Sequence, residues 1–184
     1  MKSMTFLIED HRKILRALNV LEEMAARVQR GQKLNEKDVK GILAFLEGFG
    51  DRHHQGKEEF VLFPALLRDR GQKNYRELCN LIFEHNRQRS LVEGLQDSTL
   101  TKKTKDFVYY AGRLVNILRT HIQEEHDVLF PLVVSTLSSS DDERVAQDML
   151  AYEQPWQDKE LPRLLLGLDN LESKYFRKAI AATS

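Results

Sequence analysis

Apolar residues recur at intervals of three and four along most of this chain, the period of a helix with one buried face. Phe6, Leu7, Ile14, Leu15, Leu18, Leu21 and Met24 form the first such stripe. They predict a helix from Thr5 to about Arg30, with Gly31 as its C-cap. Asn35 is the N-cap of a second helix, with Asp38 three residues on as a weak capping box. That helix runs from about Glu36 to Arg70 through Ile42, Leu43, Phe45, Leu46 and Phe49, and Gly71 closes it. Pro64 falls inside it and costs roughly 3 kcal/mol unless a local bend relieves it. A third helix extends from Asn74 to about Gln96, with Leu78, Leu81, Ile82, Val92 and Leu95 on one face. A fourth begins at a cap supplied by Thr101 or Thr104 and reaches about Leu137, bent at Pro131. Ser138 to Asp142 reads as a turn and N-cap cluster. A fifth helix follows through Val145, Met149, Leu161, Leu164, Leu165, Leu168 and Leu171, kinked or broken at Pro155 and Pro162, and ends in a frayed AIAATS tail.

The implied fold class is all-α: an up-down-up-down four-helix bundle over residues 1–137, with an additional C-terminal helical extension over 138–184 packing on it. The composition agrees. Gly and Pro together are scarce, hydrophobic residues make up 41% and charged residues 30%, as in a globular protein. Twenty-eight basic residues balance 28 acidic ones, so no basic excess draws the chain to nucleic acid or to an anionic membrane. Cys79 is the only cysteine, which excludes an internal disulfide and suits a reducing compartment. The start of the chain, MKSMTFLIEDHRK, carries no long apolar run, so neither a signal peptide nor a membrane span is expected and the cytoplasm is the expected location.

Two stretches bring in the chemistry. HQGKEEFVLFP begins at His54 and HIQEEHDVLFP begins at His121, 67 residues later. Each has Glu four residues after His, then Val-Leu-Phe-Pro. Residues four apart on a helix share a face roughly 5–6 Å apart, so His54 and Glu58 can converge on one object, as can His121 and Glu125. Imidazole and carboxylate suit a borderline metal such as iron, manganese or zinc. His11 and His85 lie on the apolar stripes of the first and third helices. Counted in rise per residue, all six side chains reach a similar level of the bundle if the first helix starts somewhat higher than its stripe requires.

Four imidazoles and two carboxylates exceed one tetrahedral zinc and suit two metal ions. With both carboxylates and one oxygen atom bridging, each metal has about five bonds, one short of octahedral. Ferritin-like bundles use Glu-x-x-His, so this His-x-x-x-Glu order marks a different family. Glu59 is a candidate to orient a ligand histidine from behind. Arg89, one turn beyond His85, either steadies an anionic species or pairs with Glu84 or Glu93. His53 and His126 sit about 100° round the helix from the ligand positions and belong on the surface or behind the ligands. Leu7, Leu15, Leu81 and Leu118 would keep the site dry. There is no phosphate loop, zinc-finger spacing or nucleophile elbow.

These residues resemble the hemerythrin-like, HHE cation-binding family. The pattern H, HxxxE, H, HxxxE appears as His11, His54–Glu58, His85 and His121–Glu125, with EEFVLFP, EHDVLFP and EHNRQR matching the family's flanking segments. The resemblance implies two iron ions with bridging carboxylates and a bridging oxo or hydroxo group; other divalent metals suit the same donors. It also implies binding of, or reaction with, a small diatomic or peroxide ligand (O2, peroxide or NO). The chain departs from oxygen carriers, because Arg89 stands where they have a further histidine and Glu125 where they have aspartate. A non-catalytic iron or oxygen sensor and a di-zinc or di-manganese hydrolase are the other readings, and no residue is assigned a catalytic role of its own.

Overall fold

In the computed structural model, residues 1–70 and 74–176 are described, and no strand occurs among them. Gly71 and the AIAATS tail lie outside the described residues. The elements are α1 (Lys2–Gln29), α2 (Glu36–Phe45), α3 (Phe63–Arg70), α4 (Tyr75–Leu100), α5 (Thr104–Glu124), α6 (Phe130–Thr136), α7 (Ser139–Gln157) and α8 (Glu160–Phe176). α2 runs on into α3, and α5 into α6, through wider π-type turns, so α1, α2–α3, α4 and α5–α6 are the four staves of the bundle. α5 packs on both α1 and α4, while α7 and α8 lie against α1 and the second stave.

The wide turns explain the repeated proline motif. One spans Glu58–Leu62 and another Glu125–Leu129, each ending just before the Phe-Pro pair. The amides of Phe63 and Phe130 bond the carbonyls of Glu58 and Glu125, five residues back. A proline ring collides with the carbonyl four residues earlier in a regular helix, and one extra residue in the turn opens that space. The strain expected at Pro64 and Pro131 is thus absorbed in the turn that carries the glutamate. A longer π-type stretch, Leu46–Gln55, precedes His54's partner and has no counterpart before His121.

Two apolar clusters fill the molecule. One gathers Ile14, Leu18, Leu21, Phe45, Phe49, Leu95, Leu114 and Leu118 with Leu164, Leu168 and Leu171 of α8. The other gathers Leu7, Leu62, Leu66, Leu78, Leu81 and Leu129 with Val145 and Met149 of α7. On every stave the polar residues of interest fall between the two clusters, which makes them a buried polar layer. The C-terminal helices feed both clusters. Gly48 and Gly56 receive them: a Cβ on Gly48 would meet Leu164 Cδ1 at 2.7 Å, and one on Gly56 would run into the Tyr152 hydroxyl.

Several local expectations change. Gly31 does close α1, at φ +85°, with Gln32 N–H bonding Arg27 O and Gly31 N–H bonding Val28 O in a Schellman arrangement. Asn35 caps α2 by accepting from the amides of Lys37 and Asp38. Asp38 does not complete a capping box; its carboxylate takes Lys174 Nζ at 2.6 Å and the Tyr175 hydroxyl at 2.9 Å. Neither Thr101 nor Thr104 caps α5. The reversal runs through Lys102 at φ 57°, and Lys103 occupies the N-cap without a side-chain bond. Ile82 is exposed rather than buried. The single fifth helix is two, α7 and α8, parted at Asp158–Lys159 after Pro155, while Pro162 sits in the first turn of α8 where its missing N–H is not needed.

Helix α1 starts at Lys2, three residues before the apolar stripe begins to require it, and has no cap of its own. Asp142 of α7 supplies it, accepting from Lys2 N at 2.6 Å, Ser3 N at 3.2 Å and Ser3 Oγ at 2.5 Å. Asp142→Ala strands these donors and is expected to cost about 1–3 kcal/mol, read as a lower urea midpoint at unchanged m-value.

Candidate metal centre

The six histidine and glutamate side chains expected from the sequence come together. His11 of α1, His54 before the first wide turn, and Glu58 and Glu125 at the heads of their turns form one quartet of donor atoms, all within 4.8 Å of one another. Glu58, His85 of α4, His121 of α5 and Glu125 form a second, to the same limit. The two quartets share Glu58 and Glu125. All six residues are 0–2% exposed.

The electrostatics fit a cation. Both oxygens of Glu58 and both of Glu125 are buried without any hydrogen-bond donor. His11 Nε2 lies 2.7 Å from Glu125, and His121 Nε2 lies 2.9 Å from it, yet these approaches lack hydrogen-bond alignment. Apart from a 3.2 Å contact between His85 Nε2 and His121 Nε2, these atoms crowd a common space without hydrogen-bonding one another, and an unpaired buried carboxylate is costly. A cation with affinity for oxygen and nitrogen supplies what is missing, and the donor set suits iron, manganese or zinc.

The carboxylates and burial act in opposite directions on the imidazoles. Burial opposes the charged form of His121, but the Glu125 carboxylate, with Glu84, lifts its pKa to about 10. Burial likewise opposes charge on His85, and Glu58 and Glu59 push its pKa up. Burial would raise Glu125, and His121 and His11 hold it well below the usual carboxylate range. Burial lowers His11 against the pull of Glu125.

Behind each imidazole stands a second group. His85 Nδ1 meets Glu59 Oε1 at 2.6 Å, as the sequence suggested. His121 Nδ1 meets Glu84 Oε2 at 2.7 Å. His54 Nδ1 is 3.5 Å from Asp10 Oδ2, and His11 Nδ1 is 3.3 Å from His126 Nε2. The sequence reading missed Glu84 and Asp10 in this role. Both directly precede a ligand candidate in the chain, yet each serves the imidazole of a neighbouring helix. One residue along a helix is about 100° of rotation, which turns the side chain from the bundle centre toward the next stave.

Arg89 pairs with neither Glu84 nor Glu93. It donates to Asp51 at 2.8 Å and to Glu59 Oε1 at 2.7 Å, so it acts on the centre through Glu59. His53 is buried, not on the surface. It joins Asp10 and Glu153 in a third cluster that could hold a cation, and Lys57 fills that place: its ammonium, 0% exposed, is 2.5 Å from both Asp10 Oδ2 and Glu153 Oε1. Burial and then the Lys57 charge push His53 down to about 3, so it is neutral near neutral pH.

The family model for the hemerythrin HHE cation binding domain matches residues 3–133. The chain belongs to this family. Curated proteins and solved structures include no match to it. The matched HHE segment contains all six candidate ligands and stops short of α7 and α8, so Lys57's partner Glu153 and α1's cap Asp142 are supplied from beyond the family domain. Among the described residues no helix is long and apolar enough to cross a membrane.

Removing the Lys57 cation leaves Asp10 and Glu153 facing each other with little water. Lys57→Met is expected to destabilise the fold by about 3 kcal/mol or more, measured by urea unfolding, with Glu153→Gln partly restoring stability in the double variant.

Proposed function

We propose that this HHE protein is a non-haem di-iron protein that binds, senses or reacts with a small molecule: O2, peroxide or NO. The observation that carries the reading is the pair of donor quartets sharing two buried carboxylates with no donors of their own. In this reading His11 and His54 hold one ion, His85 and His121 the other, and Glu58 and Glu125 serve both. An oxo or hydroxo bridge completes the set. Two such ions, when bound, supply redox equivalents and Lewis acidity.

The chain's own residues do the rest. Glu59, Glu84 and His126 fix the rotation of the His85, His121 and His11 imidazoles and which ring nitrogen faces inward, and Asp10 places a negative charge beside His54. Burial opposes the charge of Glu59, and His85 and then Arg89 hold its pKa down, with Arg89 also fixing its place. The apolar clusters above and below close the layer off along the bundle axis. The single free cysteine, Cys79, is exposed and suits a reducing, cytoplasmic setting.

One observation favours a second reading, a non-catalytic sensor ordered by its metal. Glu153 of α7 reaches Lys57 and His53 directly behind His54, so a change at the centre has a path to the C-terminal helices. Turnover at constant fold supports the first reading. A large change in α7–α8 protection on metal loading, without turnover, supports the second.

An anaerobic Fe(II) titration of the metal-free chain is expected to saturate near two irons per chain, followed by oxo-bridged ferric absorbance on admitting air. Glu58→Ala is expected to lower the iron content, and unchanged iron in that variant would defeat the assignment. Glu84→Gln is expected to weaken metal affinity about 10–100-fold with the fold intact, by equilibrium competition with a chelator.

A further inference from the structure

A cavity of about 360 Å³ opens from the surface to the metal centre. Its inner end is formed by His54 and His121, one imidazole from each donor quartet. Its walls are apolar, chiefly Ile14, Leu46, Leu114, Leu118 and Ile122, all at most 8% exposed. Charged groups, including Asp51, Arg52 and Arg89, stand at the half-exposed mouth. A diatomic or peroxide ligand needs no such room; pockets of this size and lining hold organic molecules.

Two wall residues set the chemistry. Gln55 and Gln88 are buried, at 4% and 3% exposed, and both line the cavity. They bond once, Gln55 Nε2 donating to Gln88 Oε1. Gln55 Oε1 and Gln88 Nε2 then have no partner. Exchanging O and N on both amides leaves the same remainder, one donor and one acceptor. Buried amide groups of this kind favour a partner that presents the complement. The charged groups of the lining are engaged or exposed: Arg89 is occupied by Asp51 and Glu59, Arg52 pairs with Glu160, Glu47 accepts from Gln96, and Glu93 is exposed. A neutral head meets the amide pair without the desolvation cost that a charged group carries past apolar walls.

We propose that this cavity binds a neutral organic molecule with an apolar chain and a single head carrying one hydrogen-bond donor and one acceptor, such as a primary amide. The head sits on the Gln55–Gln88 pair, which places the molecule beside His54 and His121. The inference rests on the di-metal reading for the ligand's role as substrate or effector, although binding itself is measured separately.

The test is calorimetric titration of the full chain, with metal content determined on the same samples. The probes are hexanamide and N,N-dimethylhexanamide, which keeps the acceptor and loses the donor. Hexanamide is expected to bind about tenfold more tightly, the equivalent of one buried hydrogen bond. Gln88→Leu is expected to bring the ratio of the two affinities near one. Leu118→Trp, which fills the cavity, is expected to weaken both probes at least tenfold, and Val92→Phe at the half-buried wall does the same should the first variant not fold. Absence of hexanamide binding to the unaltered chain, an unchanged ratio in Gln88→Leu, or undiminished binding in the folded filling variants would each overturn the proposal. Hexanamide binding to a chain that takes up no metal would leave the cavity assignment standing and remove the metal reading.

Discussion

Two carboxylates, Glu58 and Glu125, sit at 0% exposure with four oxygens and no hydrogen-bond donor among them. The rest of the molecule is arranged around that condition. Buried charge of this kind is destabilising unless something positive is brought to it. Here it draws two neighbouring imidazoles toward their charged form: against burial, Glu125 and Glu84 raise the pKa of His121, and Glu58 and Glu59 raise that of His85. A polar layer of this cost persists because the two apolar clusters on either side hold its walls together. Leu18, Phe49, Leu95 and Leu114 lie on one side of the layer, and Leu62, Leu78 and Leu129 on the other.

The backbone that delivers the carboxylates is not a regular helix. Each glutamate opens a widened turn that ends at Phe-Pro, and the proline makes regular winding unfavourable just there. The recurrence of Val-Leu-Phe-Pro is therefore a statement about winding as much as about packing. Wide turns of this type are commonly found where a side chain must be re-aimed. The two staves differ above the histidine, since only the second carries the longer wide stretch, with two glycines inside it and a third, Gly56, at its end. Gly48 and Gly56, in and beside that stretch, lie where Leu164 of α8 and Tyr152 of α7 come close, so a Cβ at either would make that side chain shift, while Gly50 borders the cavity.

The C-terminal helices are part of the site's support. α8 completes the apolar cluster on one side and α7 the other. Asp142 caps the helix that carries His11, and Glu153 neutralises the lysine beside Glu58. Lys57, wedged between Asp10 and Glu153, turns a potential third cation cluster into a fixed internal ion network. That network touches His54 through Asp10, which ties a segment outside the family domain to the centre.

Much of this was legible in one dimension. The three-and-four spacing of Leu and Phe gave the staves, and the two His-x-x-x-Glu pairs with His11 and His85 named the residues that meet, because spacing along a helix dictates which side chains share a face. The start of α1 at Lys2 satisfied the requirement that His11 sit deeper than its stripe implied. Partnership across helices was not legible. Glu84, one of two carboxylates that could have paired with Arg89, serves His121; Asp10 lies beside His54; Asp38 turns from its own helix end to Lys174 and Tyr175. The cavity and the Gln55–Gln88 pair likewise arise only where α4 meets the second stave. Sequence periodicity fixes the face on which a residue lies, but the rotation and offset of each helix against its neighbours, set by how all the staves and the two C-terminal helices pack together, decide what that face meets.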